Sequence, residues 1–172
     1  MKFIKTRDVI NPMRANATDA GIDFFVPTNL HISTMIEKNP NTSLYDYPNS
    51  KNGIVTTILL KPGERILIPS GIHVKLPKNT ALVAFNKSGV AHKTGLIVGS
   101  QVVDEGYEGE VHLSLINTSN KKTIIKAGAK IVQFIMMNVK YNKVEEIEQS
   151  VEEFYAEEKS SRGSGGFGST DK

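Results

Sequence analysis

Pro62-Gly63-Glu64-Arg65-Ile66-Leu67-Ile68-Pro69-Ser70-Gly71-Ile72-His73-Val74-Lys75-Leu76-Pro77-Lys78-Asn79-Thr80-Ala81-Leu82-Val83-Ala84-Phe85 sets three short apolar runs, 64–69, 72–76 and 81–85, between turns built from proline and glycine. Proline locks φ and withholds an N–H, and glycine accepts positive φ, so these turns end each run. Short runs rich in Ile, Val and Leu, bounded in this way, read as strands. Working outward, further candidate strands fall at 2–5, 21–26, 54–60, 96–98, 110–117, 123–125 and 130–136. No long segment carries a strong helical period, and the best short helical candidate is the turn at 88–93. The expectation is an all-β protein, an antiparallel sandwich or barrel.

A chain of 172 residues suits one well-buried core. It contains no cysteine, which excludes disulfides and thiolate metal sites, and His31, His73, His92 and His112 lack metal-ligand spacing. No apolar run reaches membrane-spanning length, and the first residues lack a signal-peptide core, so a soluble, cytoplasmic protein is expected. The net charge of +3 is unevenly spread: residues 145–172 hold eight acidic and three basic side chains, leaving 18 basic and 10 acidic, about +8, in 1–144. Those basic residues are scattered singly and do not interleave with aromatics. An anionic small molecule therefore fits them at least as well as nucleic acid, and charge alone does not decide; nucleic acid is not expected as a partner.

Three stretches fall outside the strand pattern. Residues 33–53 are polar and Asn-rich, with two prolines and two tyrosines, and read as an inserted loop whose role, including any protein partner, the sequence leaves unknown. Residues 145–161 are Glu-rich and read as a solvated connector, helical in part. Residues 162–172, Arg162-Gly163-Ser164-Gly165-Gly166-Phe167-Gly168-Ser169-Thr170-Asp171-Lys172, read as a flexible Gly-rich arm. Glycines let successive N–H groups converge on one anion, Arg162 adds a charged fork, and Ser169 and Thr170 add donors. Phe167, flanked by glycine, is available to stack on a flat ring. The spacing comes close to a Walker A loop, but Ser169 stands where the lysine belongs, and the required strand before and helix after are missing.

Four internal segments carry polar groups where apolar ones would be routine. Asp23 interrupts an apolar strand in Ala20-Gly21-Ile22-Asp23-Phe24-Phe25, so it either pairs with a cation or faces a cleft. Lys87, Ser88 and Gly89 leave an apolar strand in a form suited to phosphate. In Gly99-Ser100-Gln101-Val102-Val103-Asp104-Glu105-Gly106-Tyr107-Glu108-Gly109-Glu110, a Gly-flanked hairpin holds Asp104 three residues from Tyr107, where a carboxylate can orient and deprotonate water. Gln133 interrupts the apolar strand that follows Gly128.

In order, these segments and the arm resemble the five sequence motifs of the trimeric deoxyuridine triphosphatase (dUTPase) family, and the resemblance spans nearly the whole chain. It implies a distorted jelly roll of the β-clip type, with a body at 1–144. It further implies hydrolysis of dUTP to dUMP and pyrophosphate. Asp104 would activate the water that attacks the α-phosphate, and Tyr107 would pack on the deoxyribose where a 2′-hydroxyl clashes. The backbone of Gln101, Val102, Val103 and Asp104, and that near His112, would read uracil. Lys87, Ser88, Gly89 and Gln133 would contact the phosphates, and Asp23 would hold Mg²⁺ through water. Arg162, Gly168, Ser169 and Thr170 would close on the γ-phosphate while Phe167 covers the base. The family shares its sites among the subunits of a homotrimer. The chain departs from the pattern in having Lys87 for the usual arginine, Asn86 for the usual proline, and Ala129 for the usual acidic residue after Gly128. A dCTP deaminase of the same fold, or a nucleotide-binding regulatory protein, are the alternative readings.

Overall fold

The computed structural model describes residues 1–42, 46–157, 160–161 and 163–165, and the chain divides into two compact units, Met1–Lys140 and Tyr141–Lys172. Arg162, Phe167, Gly168, Ser169 and Thr170 lie outside the described residues.

The first unit is built of strands β1 (Lys2–Lys5), β2 (Ile22–Phe25), β3 (Thr57–Leu60), β4 (Arg65–Pro69), β5 (Ile72–Lys75), β6 (Thr80–Asn86), β7 (Leu96–Val98), β8 (Val102–Val103), β9 (His112–Asn117), β10 (Thr123–Lys126) and β11 (Lys130–Asn138). Two short helices join them, α1 (Ile32–Lys38) and α2 (Ser88–Thr94). Every strand pair is antiparallel, in sheets of order β2-β11-β6-β8, β4-β9-β7, β1-β5 and β10-β3. The strands of the quoted stretch appear as β4, β5 and β6, with ends moved by a residue. In β9 partly exposed and buried residues alternate strictly, as the pleat requires of a strand with one face on a core. Leu113, Leu115, Leu82, Ile68 and Phe24 form that core at 1% exposure or less, and the Phe24 and Phe134 rings meet at 4.5 Å between β2 and β11. The second unit contains one described helix, α3 (Val151–Phe154), closed by a capping box between Ser150 and Glu153. Among the described residues no helix is long and apolar enough to cross a membrane.

Residues 33–53 depart from the polar loop expected of them. They begin within α1, whose Met35 is fully buried, and Tyr47 is 2% exposed. Asn39 supplies the reason. Its amide donates to the carbonyls of Met35 and Leu67, both at 2.9 Å, and accepts from the Leu67 N–H at 2.8 Å. One side chain thus takes the place of a neighbouring strand along the edge of β4. At Asn39 a polar side chain serves backbone pairing instead of solvation. Asn39→Ala should therefore destabilise the protein by about 2 kcal/mol, because the Leu67 groups lose their partner. The shift in urea midpoint measures it.

Candidate active site

The sheet β2-β11-β6-β8 carries most of the chemistry. Asp23 on β2 lies directly opposite Gln133 on β11, and Gln133 in turn faces Phe85, one residue before Asn86. Gln133 Nε2 donates to the Asn86 carbonyl at 2.8 Å, so its amide bridges β11 and the exit of β6. A Cβ on Gly21 would lie 2.2 Å from Gln133 Oε1, which is why the position before Ile22 has no side chain. Asp23 is 4% exposed, yet it is not unpaired: Lys87 Nζ binds Oδ1, and Lys130 Nζ lies 3.0 Å from Oδ2. Both alternatives read from the sequence hold together, since the same carboxylate also borders a cleft of about 320 Å³ with Gly21, Lys87, Lys130 and Gln133. Ser88 and Gly89 follow Lys87 at the start of α2, exposed, with open space where a Gly89 side chain would be.

Asp104 and Tyr107 form a second group. The expected hairpin is wider than a simple one: β7 pairs with β9, but the connection between them reaches across to β6, setting Val102 opposite Val83 and Val103 opposite Leu82. The Gln101 carbonyl is committed to the Ala84 N–H at 2.7 Å. Val102 is left 62% exposed. Asp104 follows in an exposed turn closed by the Tyr107 N–H on the Asp104 carbonyl at 3.1 Å. The Tyr107 hydroxyl donates to the Glu110 carbonyl at 3.0 Å, and its ring covers Gly109, where a Cβ would meet the hydroxyl at 2.3 Å. The ring position is therefore fixed from both ends. A larger groove of about 440 Å³ lies beside this turn, between Ile4, Val74 and Tyr107, but it is mostly apolar.

His112 lies at the start of β9. Its Nδ1 is 2.7 Å from the Glu110 carbonyl, which can only accept, so Nδ1 carries the proton and Nε2 is left as a lone pair. That Nε2 is buried with no partner among the described residues. Burial pushes the imidazole below its ordinary pKa, the Glu110 carbonyl and charge oppose this, and Lys38 and Arg7 add to it. Burial alone would raise the Glu110 carboxyl. Hydrogen bonds from the Arg7 guanidinium, at 2.8 and 3.1 Å, and from the Gly71 N–H overcome that and hold it below the usual range. The Arg7–Glu110 pair anchors the far end of the Asp104 turn and had no signal in the sequence beyond charge.

The two groups do not meet within the chain. Asp104 continues β8 past the Val103–Leu82 pair to the level of Ala81, whereas Gln133 and Val132 stand opposite Phe85 and Asn86. At about 3.3 Å per residue the separation along β6 is roughly 15 Å. Asp23, Lys87 and Gln133 are brought together; Val102, Val103, Asp104 and Tyr107 lie at the other end of the strand. Sequence reasoning passed over Lys130, which completes the first group. Among the described residues no three His, Asp or Glu side chains gather as a metal cluster.

A family model for dUTPase matches residues 54–171. The chain is 30% identical over 166 residues to a deoxyuridine 5′-triphosphate nucleotidohydrolase of Clostridium kluyveri, covering 95% of this chain and 92% of the relative. Among solved structures it resembles a dUTPase of Staphylococcus bacteriophage 80alpha bound to dUpNHpp, with a TM-score of 0.70 at 20% identity over 98% of this chain and 96% of the other. It also resembles a dUTPase of phage phi11 of S. aureus described with a structural Mg(II) ion, with a TM-score of 0.64 at 18% identity over 87% and 97%. The fold is the distorted jelly roll of these structures.

Proposed function

The chain belongs to the dUTPase family and is a dUTP diphosphatase, and we propose that its Asp104 carboxylate orients and deprotonates the water that attacks the α-phosphate. The water oxygen bonds to the α-phosphorus, the bond from that phosphorus to the bridging oxygen breaks, and pyrophosphate leaves dUMP behind. What supports this reading is the division of labour along β6. The exposed Asp104 turn, with Tyr107 held flat against Gly109, offers a base and a sugar-packing ring. The cleft at the other end gathers two lysines and an amide suited to a phosphate chain.

In this reading Lys87, Ser88, Gly89 and Gln133 hold the triphosphate, and the backbone around Gln101, Val102 and Val103, with that near His112, reads uracil. Backbone groups suit this task because their positions do not depend on side-chain identity. Tyr107 rejects ribonucleotides by crowding a 2′-hydroxyl, a penalty of about 1–3 kcal/mol. Arg162, Gly168, Ser169 and Thr170 close on the γ-phosphate and Phe167 on the base, the arm being carried by the 145–161 connector from the 1–144 body. Mg²⁺ bound with the substrate would neutralise phosphate charge, Asp23 holding its water shell. The roughly 15 Å between the groups supports a homotrimer in which one subunit supplies Asp104 and Tyr107 and another supplies Lys87 and Gln133.

A substrate panel tests the function. With Mg²⁺, pyrophosphate release from dUTP should exceed that from dCTP, dTTP and UTP by at least about 10–100-fold, the discrimination available to steric exclusion at one pocket. Equal turnover of all four would refute it, and ammonia release from dCTP would point to the deaminase instead.

A further inference from the structure

Lys130 borders the cleft but is not among the residues assigned to the triphosphate above, and it holds half of the Asp23 carboxylate. Its position depends on an irregularity of β11. Val132 and Phe134 stand opposite Phe24 and Ile22, on the core face, and Gln133 stands opposite Asp23 on the cleft face. Strict alternation would turn Lys130 to the face of Val132, away from Asp23. The register shifts between Lys130 and Val132, so Lys130 comes opposite Phe25, two residues from Asp23 and on its face, while Ile131 is buried at 6% exposure. Bulges of this kind re-aim a side chain beside an active site.

The two lysines differ in surroundings. The Asp23 side chain is 5% exposed, that of Lys87 20% and that of Lys130 43%. Lys87 is joined to Ser88 and Gly89, so any phosphate reaching those residues competes with Asp23 for its ammonium. A buried carboxylate stripped of its only partner is strongly destabilised. With a second partner in place, one can leave.

We propose that Lys130 is a positioning residue for the triphosphate, remaining on Asp23 when Lys87 turns from that carboxylate to the phosphate chain. This rests on the cleft being the phosphate half of the dUTP site. It also gives lysine a purpose at position 87, since a flexible four-carbon stem with a single charged tip exchanges partners more readily than a planar fork.

The test is Lys130→Gln in the full chain, with binding of dUpNHpp measured by calorimetry without added metal. The dissociation constant and KM should rise together by about tenfold, more than the fall in kcat, because losing Lys130 ties Lys87 to Asp23. Lys130→Arg should restore both, and in an Asp23→Asn background Lys130→Gln should have no further effect. An unchanged dissociation constant overturns the proposal, as does an equal rise in the Asp23→Asn background, which would put Lys130 directly on phosphate. An unaltered melting temperature separates these results from misfolding. If the wild type neither binds dUpNHpp nor hydrolyses dUTP, it is the reading of the cleft that fails. If it does both and Lys130→Gln binds equally well, the inference alone fails.

Discussion

Asp104→Asn should lower kcat for dUTP by about 10²–10⁴-fold while leaving the dissociation constant of dUpNHpp nearly unchanged. Asparagine keeps the shape of the turn, and the bond that closes it runs between the Tyr107 N–H and the Asp104 main-chain carbonyl, which the substitution does not touch. What is lost is a carboxylate able to accept a proton. Of the other carboxylates nearby, Glu110 is held by Arg7 and the Gly71 N–H, and two more do not match Asp104 either. Glu105 accepts the Asn79 N–H at 2.7 Å and is drawn away from the turn to the loop before β6. Glu108 lies beyond Tyr107, beside the groove formed with β1 and β5. Single-turnover kinetics and calorimetry on the same preparation measure the two quantities. Unchanged turnover moves the base to another residue; lost binding with lost turnover makes Asp104 a substrate contact instead.

How far the site was legible depended on the period of each element. β9 alternates strictly over six residues, and β4 and β5 lie between proline and glycine turns, so these strands could be read with their ends off by at most two residues. β8 has only two residues and no period, and it exists because its neighbours on β6 present unpaired groups to it. α1 was hidden by the asparagines, prolines and tyrosines around it, since the value of Asn39 lies in an edge that folds against it from 28 residues away. Asp23 and Gln133 stood out because a polar residue in an apolar strand demands a partner. The partners themselves did not, and Lys130 least of all. Alternation places it on the wrong face, and only the bulge in β11 corrects this.

Two inactive variants should restore each other. One carries Asp104→Asn; the other carries Lys87→Gln together with Gln133→Ala, removing the phosphate-side charge and amide. Each alone should retain less than about 1% of wild-type turnover, given the losses of 10²-fold or more that such groups typically carry. Within one protomer the roughly 15 Å between the clusters is several times the 3–3.5 Å at which a water must approach phosphorus, so neither variant's intact half can serve its own cleft. If the site forms between copies, an Asp104 from one subunit meets a Lys87 from the next. Random mixing at equal amounts gives an intact Asp104 half at one site in two and an intact phosphate half at one in two. About a quarter of the sites are then whole, so the mixture should recover about a quarter of wild-type turnover after unfolding and refolding together. The surface is suited to such contact. Phe85 on β6, Val102 on β8 and Met137 on β11 stand on the face of the sheet that carries Gln133 and are each at least 40% exposed, forming apolar cover that a lone chain would leave to water. The C-terminal arm is unaltered in both variants, so its contribution cancels. A mixture that stays at the sum of its parents would place both halves of the site within one chain and require the Asp104 turn to swing along β6 on binding.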